Sequence, residues 1–315
     1  MCALATAVLI GAALATLTVA LVGCGTSSTV GDAGTIVTTG GTESTTTTVP
    51  TTSTTAPAKE TTTTTAPAEP TTTTLADNMM TVSVYFVRDE KIAASHRVIL
   101  KTLEVGKTAM RELLSGPTTV ESNDGMASTI PTGTALLGLD VNNGVATVNL
   151  SKEYASGGGS LSMTLRLAQV VYTLTQFPTV NRVSFELDGK AVEVFGGEGI
   201  ILNGPVGRTE YEDVTPAILV ESPTSEDPVS SPVRITGTAN TFEGTFMAKI
   251  LDETGATIAE RSISAQSGTG QRGGFDVSIP YYVAKAGPGT LIVFEESAQD
   301  GSQTNLVTIP LILEK

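Results

Sequence analysis

Apolar and polar positions divide the chain into three regimes. Residues 3–23 form an uncharged, mostly apolar run, and residues 25–79 hold almost no large apolar side chains. From residue 80 the pattern becomes periodic. Val82, Val84 and Phe86 alternate with Ser83, Tyr85 and Val87, the period of a strand, and Arg97–Leu103 reads as a second strand. Ala109, Met110, Leu113 and Leu114 recur at helical spacing within 106–115, and Gly116-Pro117 ends that helix. Residues 135–141 and 145–150 flank Asn142-Asn143-Gly144, the signal of a tight type I′ hairpin.

Gly157–Gly159 makes a loop, and Ser160 is placed to cap the next helix. On that helix Ser162, Arg166, Gln169, Thr173 and Gln176 gather on one arc. Leucines, valines and Tyr172 cover most of the rest, a face wide enough to pack on both a sheet and a neighbouring helix. Pro178 stops it, and Val183–Leu187 and Ala191–Phe195 form a hairpin across Asp188-Gly189. This order predicts an α+β layered domain over residues 80–214.

Seven strand-like runs follow: 217–221, 233–237, 245–252, 257–264, 274–279, 289–295 and 305–313. Turn signals separate them and no long amphipathic helix interrupts. The spacing predicts an all-β sandwich over 215–315.

Leu21-Val22-Gly23-Cys24 ends the apolar run and resembles the lipobox of bacterial lipoproteins. The resemblance implies that residues 1–24 are a signal peptide and that Cys24 takes a diacylglyceryl group as the first residue of the mature protein. The alternative is an uncleaved membrane anchor; either places residues 25–315 outside the cytoplasmic membrane. Between Thr42 and Thr74 the chain is chiefly Thr, Pro, Ala and Glu, with TTSTTAPAKE nearly repeated as TTTTTAPAEP. Such a composition cannot bury enough apolar area to offset chain entropy, so residues 25–79 are expected to be a disordered linker.

Lys and Arg number 18 against 32 Asp and Glu, a net charge of −14. One base and five acids fall in residues 1–80, leaving 17 bases and 27 acids, −10, to the remainder. A protein this acidic is repelled by phosphate backbones, so no nucleic-acid partner is expected. Both cysteines, Cys2 and Cys24, precede the periodic part, so it has no disulfide and no Cys-based metal site. With His96 the single histidine, no metal site, no cofactor and no catalytic triad is expected.

The remaining chemistry is sparse. His96, placed at a strand start, has no signature of a partnered general base around it. Glu186, Asp188 and Glu193 on one hairpin, and Glu210, Glu212 and Asp213 near the domain junction, offer carboxylates but read as solvated faces. Gly157–Gly159 and Gly196-Gly197-Glu198-Gly199 lack the Lys-Ser/Thr of a phosphate loop. Tyr281-Tyr282, without tryptophan, is weak support for a sugar platform. The stripe of Arg166, Gln169 and Thr173 is either a hydrogen-bonding contact face or a helix exterior facing water.

Leu113-Leu114-Ser115-Gly116-Pro117-Thr118, Ser128-Thr129-Ile130-Pro131-Thr132-Gly133-Thr134 and Ala168-Gln169-Val170-Val171-Tyr172-Thr173-Leu174-Thr175 resemble the GerMN domain of sporulation and spore-germination proteins. Ile218–Pro223, Val229–Ala239 and Phe242-Glu243 resemble the immunoglobulin-like domain that often follows it. The resemblance implies an extracytoplasmic role and supplies no reaction. Arg208 matches a recurrent arginine near the end of GerMN; it either clamps the interdomain linker through a carboxylate or meets a ligand. The expected protein is a lipid-anchored envelope lipoprotein on the outer face of the cytoplasmic membrane. It is expected to be no enzyme, but a binding or scaffold module for envelope proteins. The alternative is binding of peptidoglycan fragments or a small ligand in a cleft at or between the domains.

Overall fold

The computed structural model describes residues 78–315. The apolar N-terminal run, Cys24 and the Thr/Pro-rich tract lie outside the described residues. Among the described residues no helix is long and apolar enough to cross a membrane.

The first part opens on a hairpin of β1 (Met79–Arg88) and β2 (Lys91–Leu100). Its second strand starts six residues earlier than expected, so His96 sits mid-strand. The turn between them is Asp89-Glu90, both with positive φ (52° and 60°). A type I′ turn is built here without the glycine that usually marks it. Helix α1 (Val105–Leu114) follows, then α2 (Thr119–Asn123), which periodicity did not predict. Its signal is a capping box: Thr118 Oγ1 accepts from Glu121 N–H, and the Glu121 carboxylate accepts from Thr118 N–H.

Strands β3 (Leu136–Asn142) and β4 (Val145–Leu150) form the predicted Asn-Gly hairpin, and helix α3 (Ser160–Leu174) leads to β5 (Arg182–Leu187), parallel to β4. Gly159, not Ser160, is the N-cap of α3, and the Ser160 hydroxyl instead reaches Glu198. The hairpin beyond Asp188-Gly189 is shorter than expected. β6 (Lys190–Ala191) closes the sheet in the order β3-β4-β5-β6, and β7 (Val194–Phe195) turns away to pair with β8 (Ile200–Ile201). One hydrophobic cluster joins Phe86 of the hairpin, Leu167, Val170 and Val171 of α3, and Val148 and Phe185 of the sheet.

The second part is a β-sandwich. It comprises β9 (Ile218–Ser222), β10 (Pro228–Val229), β11 (Val233–Ala239), β12 (Thr245–Leu251), β13 (Thr257–Ser264), β14 (Gly273–Ile279), β15 (Gly287–Glu296) and β16 (Gln303–Leu313). One sheet runs β10-β16-β15-β12-β13 and the other β14-β11-β9. The seven expected strands are present; the short β10, parallel to β16, is the addition. Ile235, Ala248, Ile250, Leu291 and Val293 are fully buried between the sheets.

Candidate functional site

The side chains proposed as a contact stripe are not on the surface. Arg166 is 2 % exposed and Gln169 and Thr173 are 0 % exposed. The reason lies in β1, whose outer edge meets, among the described residues, only a single bridge from Val87 to Ala127 and no neighbouring strand. Gln176 accepts from Ser83 N–H (2.7 Å) and donates to Ser83 O (2.6 Å). Thr173 Oγ1 accepts from Tyr85 N–H (3.2 Å), and Gln169 Nε2 donates to Tyr85 O (3.1 Å). Polar residues at i, i+4 and i+7 thus run along the strand edge and replace a missing neighbour strand. Gln169 Oε1 also accepts from Thr129 N–H and Oγ1. Arg166 donates to the carbonyls of Thr129, Tyr154, Ser156 and Gly157, and so pins two loops to the helix. Burial holds its pKa below the ordinary arginine value.

Arg208, the fourth residue of the expected face, is elsewhere, and it does find a carboxylate. Cross-strand register places Ser83, Tyr85, Ile92, Ala94 and His96 on one face of the hairpin. That face meets β9. Alternation along β9 sends Leu219 into the first hydrophobic cluster and Ile218 and Val220 into the second. Glu221, two residues beyond Leu219, points the same way. Arg208 Nη1 donates to Glu221 Oε1 at 2.7 Å, and the buried Tyr85 hydroxyl donates to the same oxygen. The Arg208 guanidinium lies 4.6 Å from the Tyr172 ring centroid and 5.5 Å from that of Tyr85, and donates from Nε to Thr175 Oγ1. Burial pushes the Tyr85 phenol far above its ordinary range, which keeps it a neutral donor.

His96 completes the junction from mid-strand. Its Nδ1 lies 2.8 Å from Asp227 Oδ2 and its Nε2 3.1 Å from the Glu221 carbonyl. Both neighbours carry acceptor oxygens, and the ring bridges them across the junction. Burial alone would raise the Asp227 pKa, but hydrogen bonds from His96 and from Thr224 outweigh it and hold the carboxyl below its ordinary range.

The linker is fastened separately. Glu212 receives two bonds from Arg272, 2.8 Å to Oε2 and 3.0 Å to Oε1, and one from Asn240. Arg272 also donates to the Pro216 carbonyl, and the Tyr172 hydroxyl bonds Thr215 Oγ1 at 2.6 Å. These bonds outweigh burial and lower the Glu212 pKa. Of the carboxylates read as solvated, Glu212 is therefore a structural clamp and Glu210 pairs with Arg182.

Two groups at this site had no sequence signal. Tyr85 and Glu221 lie 136 residues apart and are joined only by folding. Among the described residues no group of three or more His, Cys, Asp or Glu is placed to hold a metal.

The family model described as sporulation and spore germination (Germane) matches residues 83–193. The model described as the immunoglobulin-like domain of bacterial spore germination (Gmad2) matches residues 217–302. Comparison with curated proteins gave no match. Among solved structures, the chain is similar to the first GerMN domain of the sporulation protein GerM from Bacillus subtilis. The identity is 20 %, with 41 % of this chain and 98 % of that one covered and a TM-score of 0.37. The tandem GerMN domains of the same protein align at 13 % identity over 64 % of this chain and 61 % of that one, with a TM-score of 0.36. A chain from Clostridium perfringens provisionally designated a lipoprotein aligns at 24 % identity, over 44 % of this chain and 94 % of that one, with a TM-score of 0.32.

Proposed function

We propose, from the premise that this chain carries a sporulation and spore germination domain followed by an immunoglobulin-like domain of bacterial spore germination, that it is a non-catalytic binding module. It scaffolds protein partners in the cell envelope, held to the outer face of the cytoplasmic membrane by lipid on Cys24. The observation that carries this reading is how the junction uses its reactive side chains. His96, Tyr85, Arg208 and Glu221 bond one another and the backbone across the two domains. That arrangement fixes one domain against the other and presents them as a single preformed surface.

The reading is tested by in-cell cross-linking of the full chain followed by identification of adducts. Discrete envelope-protein adducts are expected. Their absence, together with turnover of muropeptides that is abolished by Glu221→Gln, overturns it in favour of a hydrolase. The anchor is tested by Cys24→Ser, which is expected to abolish acyl labelling and release the protein from membranes. Unchanged labelling sinks the anchor.

A further inference from the structure

The four-stranded sheet of the first domain has an open side. β3 stands at its edge and pairs only with β4 among the described residues. The two-residue turn at Asn143-Gly144 makes Asn142 and Val145 the hydrogen-bonded pair that closes the hairpin. Bonded and non-bonded pairs then alternate, so Leu139 and Val141 turn their N–H and C=O groups away from β4. Among the described residues nothing bonds these four groups. A bulge between Leu136 and Gly138 ends the free edge on one side, and the turn ends it on the other. Free donors and acceptors at strand spacing are a template for another extended backbone.

The two faces of that edge differ. Leu139 and Val141 share a face with Val148 and Ala146, their fully buried partners on β4. On this side a cavity of about 430 Å³ opens beside the edge, walled by Leu103, Val105, Val141, Phe177 and Pro178. Leu103 is fully exposed and Val141 half-exposed. Register places Asp140, Thr147, Asn149, Arg182, Ser184 and Glu186 on the opposite face. Arg182 is already neutralised by Glu210. Asp140 and Glu186 pair with no base among the described residues, which leaves this face negative.

We propose that the β3 edge binds an extended segment of a partner protein in which aliphatic and basic side chains alternate, an inference that rests on the binding-module reading above. The backbone of the segment bonds Leu139 and Val141. Its aliphatic side chains enter the cavity, and its basic side chains lie beside Asp140 on the other face. Charge opposes a second copy of β3 as the occupant. The antiparallel register that joins the free groups of two copies pairs Leu139 with Val141. It sets Asp140 directly against Asp140, and like charges in that position destabilise a sheet.

The test uses the full chain and three fluorescein-labelled heptapeptides, KVKVKVK, EVEVEVE and KKKKVVV, read by anisotropy. The unaltered chain is expected to bind KVKVKVK about tenfold more tightly than either of the others. Equal binding of KVKVKVK and KKKKVVV, which carry the same charge, overturns the proposal, because attraction to the −10 surface alone gives that result. Val141→Pro deletes one outward N–H and keeps the ladder to β4, and is expected to weaken KVKVKVK binding about five- to tenfold. Asp140→Lys, an exposed change, is expected to weaken it about threefold and to strengthen EVEVEVE. Unchanged KVKVKVK binding in both variants overturns the proposal. Amide hydrogen exchange within residues 136–142 is expected to slow when KVKVKVK is added. Binding without that protection places the peptide elsewhere, and protection that rises with protein concentration alone makes a second copy the occupant; either result overturns the proposal. Cross-linked partners that persist in both variants overturn the edge alone; no cross-linked partner for the unaltered chain removes the binding-module reading itself.

Discussion

Gln169→Leu tests whether the buried polar stripe completes the hairpin edge. Gln169 is 0 % exposed and its amide serves Tyr85 O on one side and Thr129 N–H and Oγ1 on the other. Leucine has nearly the same volume and cannot replace any of these bonds. Tyr85 O is left buried and unpaired, at a cost of about 1–3 kcal/mol. Thr129 is only half-buried and water reaches it, so its loss adds roughly 1 kcal/mol. The additional apolar burial returns about 1 kcal/mol. The net loss is about 1–3 kcal/mol, a sizeable fraction of the 5–15 kcal/mol that stabilises a typical folded protein. For a folded part of this size that corresponds to a fall in melting temperature of roughly 2–12 °C. The assay is thermal unfolding of the full chain, followed by circular dichroism or calorimetry. Gln169→Glu sharpens it: an ionised carboxylate still accepts from Thr129 but cannot donate to Tyr85 O, and it adds a buried charge, so it is expected to destabilise more than leucine. A melting temperature within about 1 °C of the unaltered protein for both variants refutes the edge-completion argument.

Two further predictions concern the junction and the acid limb of stability. Arg208→Ala removes a charge-assisted bond to Glu221 and two ring contacts, and is expected to cost about 2–4 kcal/mol in urea unfolding. Arg208→Lys is expected to recover part of it, and a loss below about 0.5 kcal/mol for alanine counts against the clamp. The carboxyls of Glu121, Glu212 and Asp227 are all held below their ordinary range: burial raises each, and hydrogen bonds from Arg97 and Ser95, from Arg272 and Asn240, and from His96 and Thr224 outweigh it. A depressed native pKa stabilises above the unfolded value of about 4 and that stability is lost as pH falls through the native value. Melts taken from about pH 6 downward are therefore expected to fall off below about pH 4, and less steeply in Glu121→Gln; an unaltered acid limb in that variant contradicts the assignment.

The sandwich was the most legible part of the chain. Its strands alternate cleanly, and the turns carry Gly and Pro where the chain reverses. The Asn143-Gly144 hairpin was legible for the same reason, since φ values of 49° and 82° suit those two residues. The Asp89-Glu90 turn was not, because no glycine marks its two positive φ values. The polar stripe of α3 was seen as a stripe but placed on the wrong side of the boundary between protein and water. Helical spacing shows which residues share a face and not what the face meets, and here it meets the backbone edge of β1 at Ser83 and Tyr85, which no strand among the described residues pairs. Arg208 was legible as a clamp in search of a carboxylate. Its partner Glu221 and the hydroxyl of Tyr85 were not, because nothing local in a strand residue announces a bond 136 positions away.

The junction is built by residues that local pattern assigns to neither core. Between β8 and β9 the chain carries Arg208, Glu210 and Glu212, and each reaches a partner elsewhere: Glu221 on β9, Arg182 on β5 and Arg272 just before β14. At the end of this stretch β9 gives Leu219 to one hydrophobic cluster and Ile218 and Val220 to the other. A strand with both faces buried cannot rotate with one domain without pulling away from the other. Hinge motion would thus cost apolar burial on Leu219 as well as the ion pairs. A boundary drawn at residues 214 and 215 follows the sequence pattern, yet the Arg208–Glu221 pair and Leu219 tie the two domains together from either side of it.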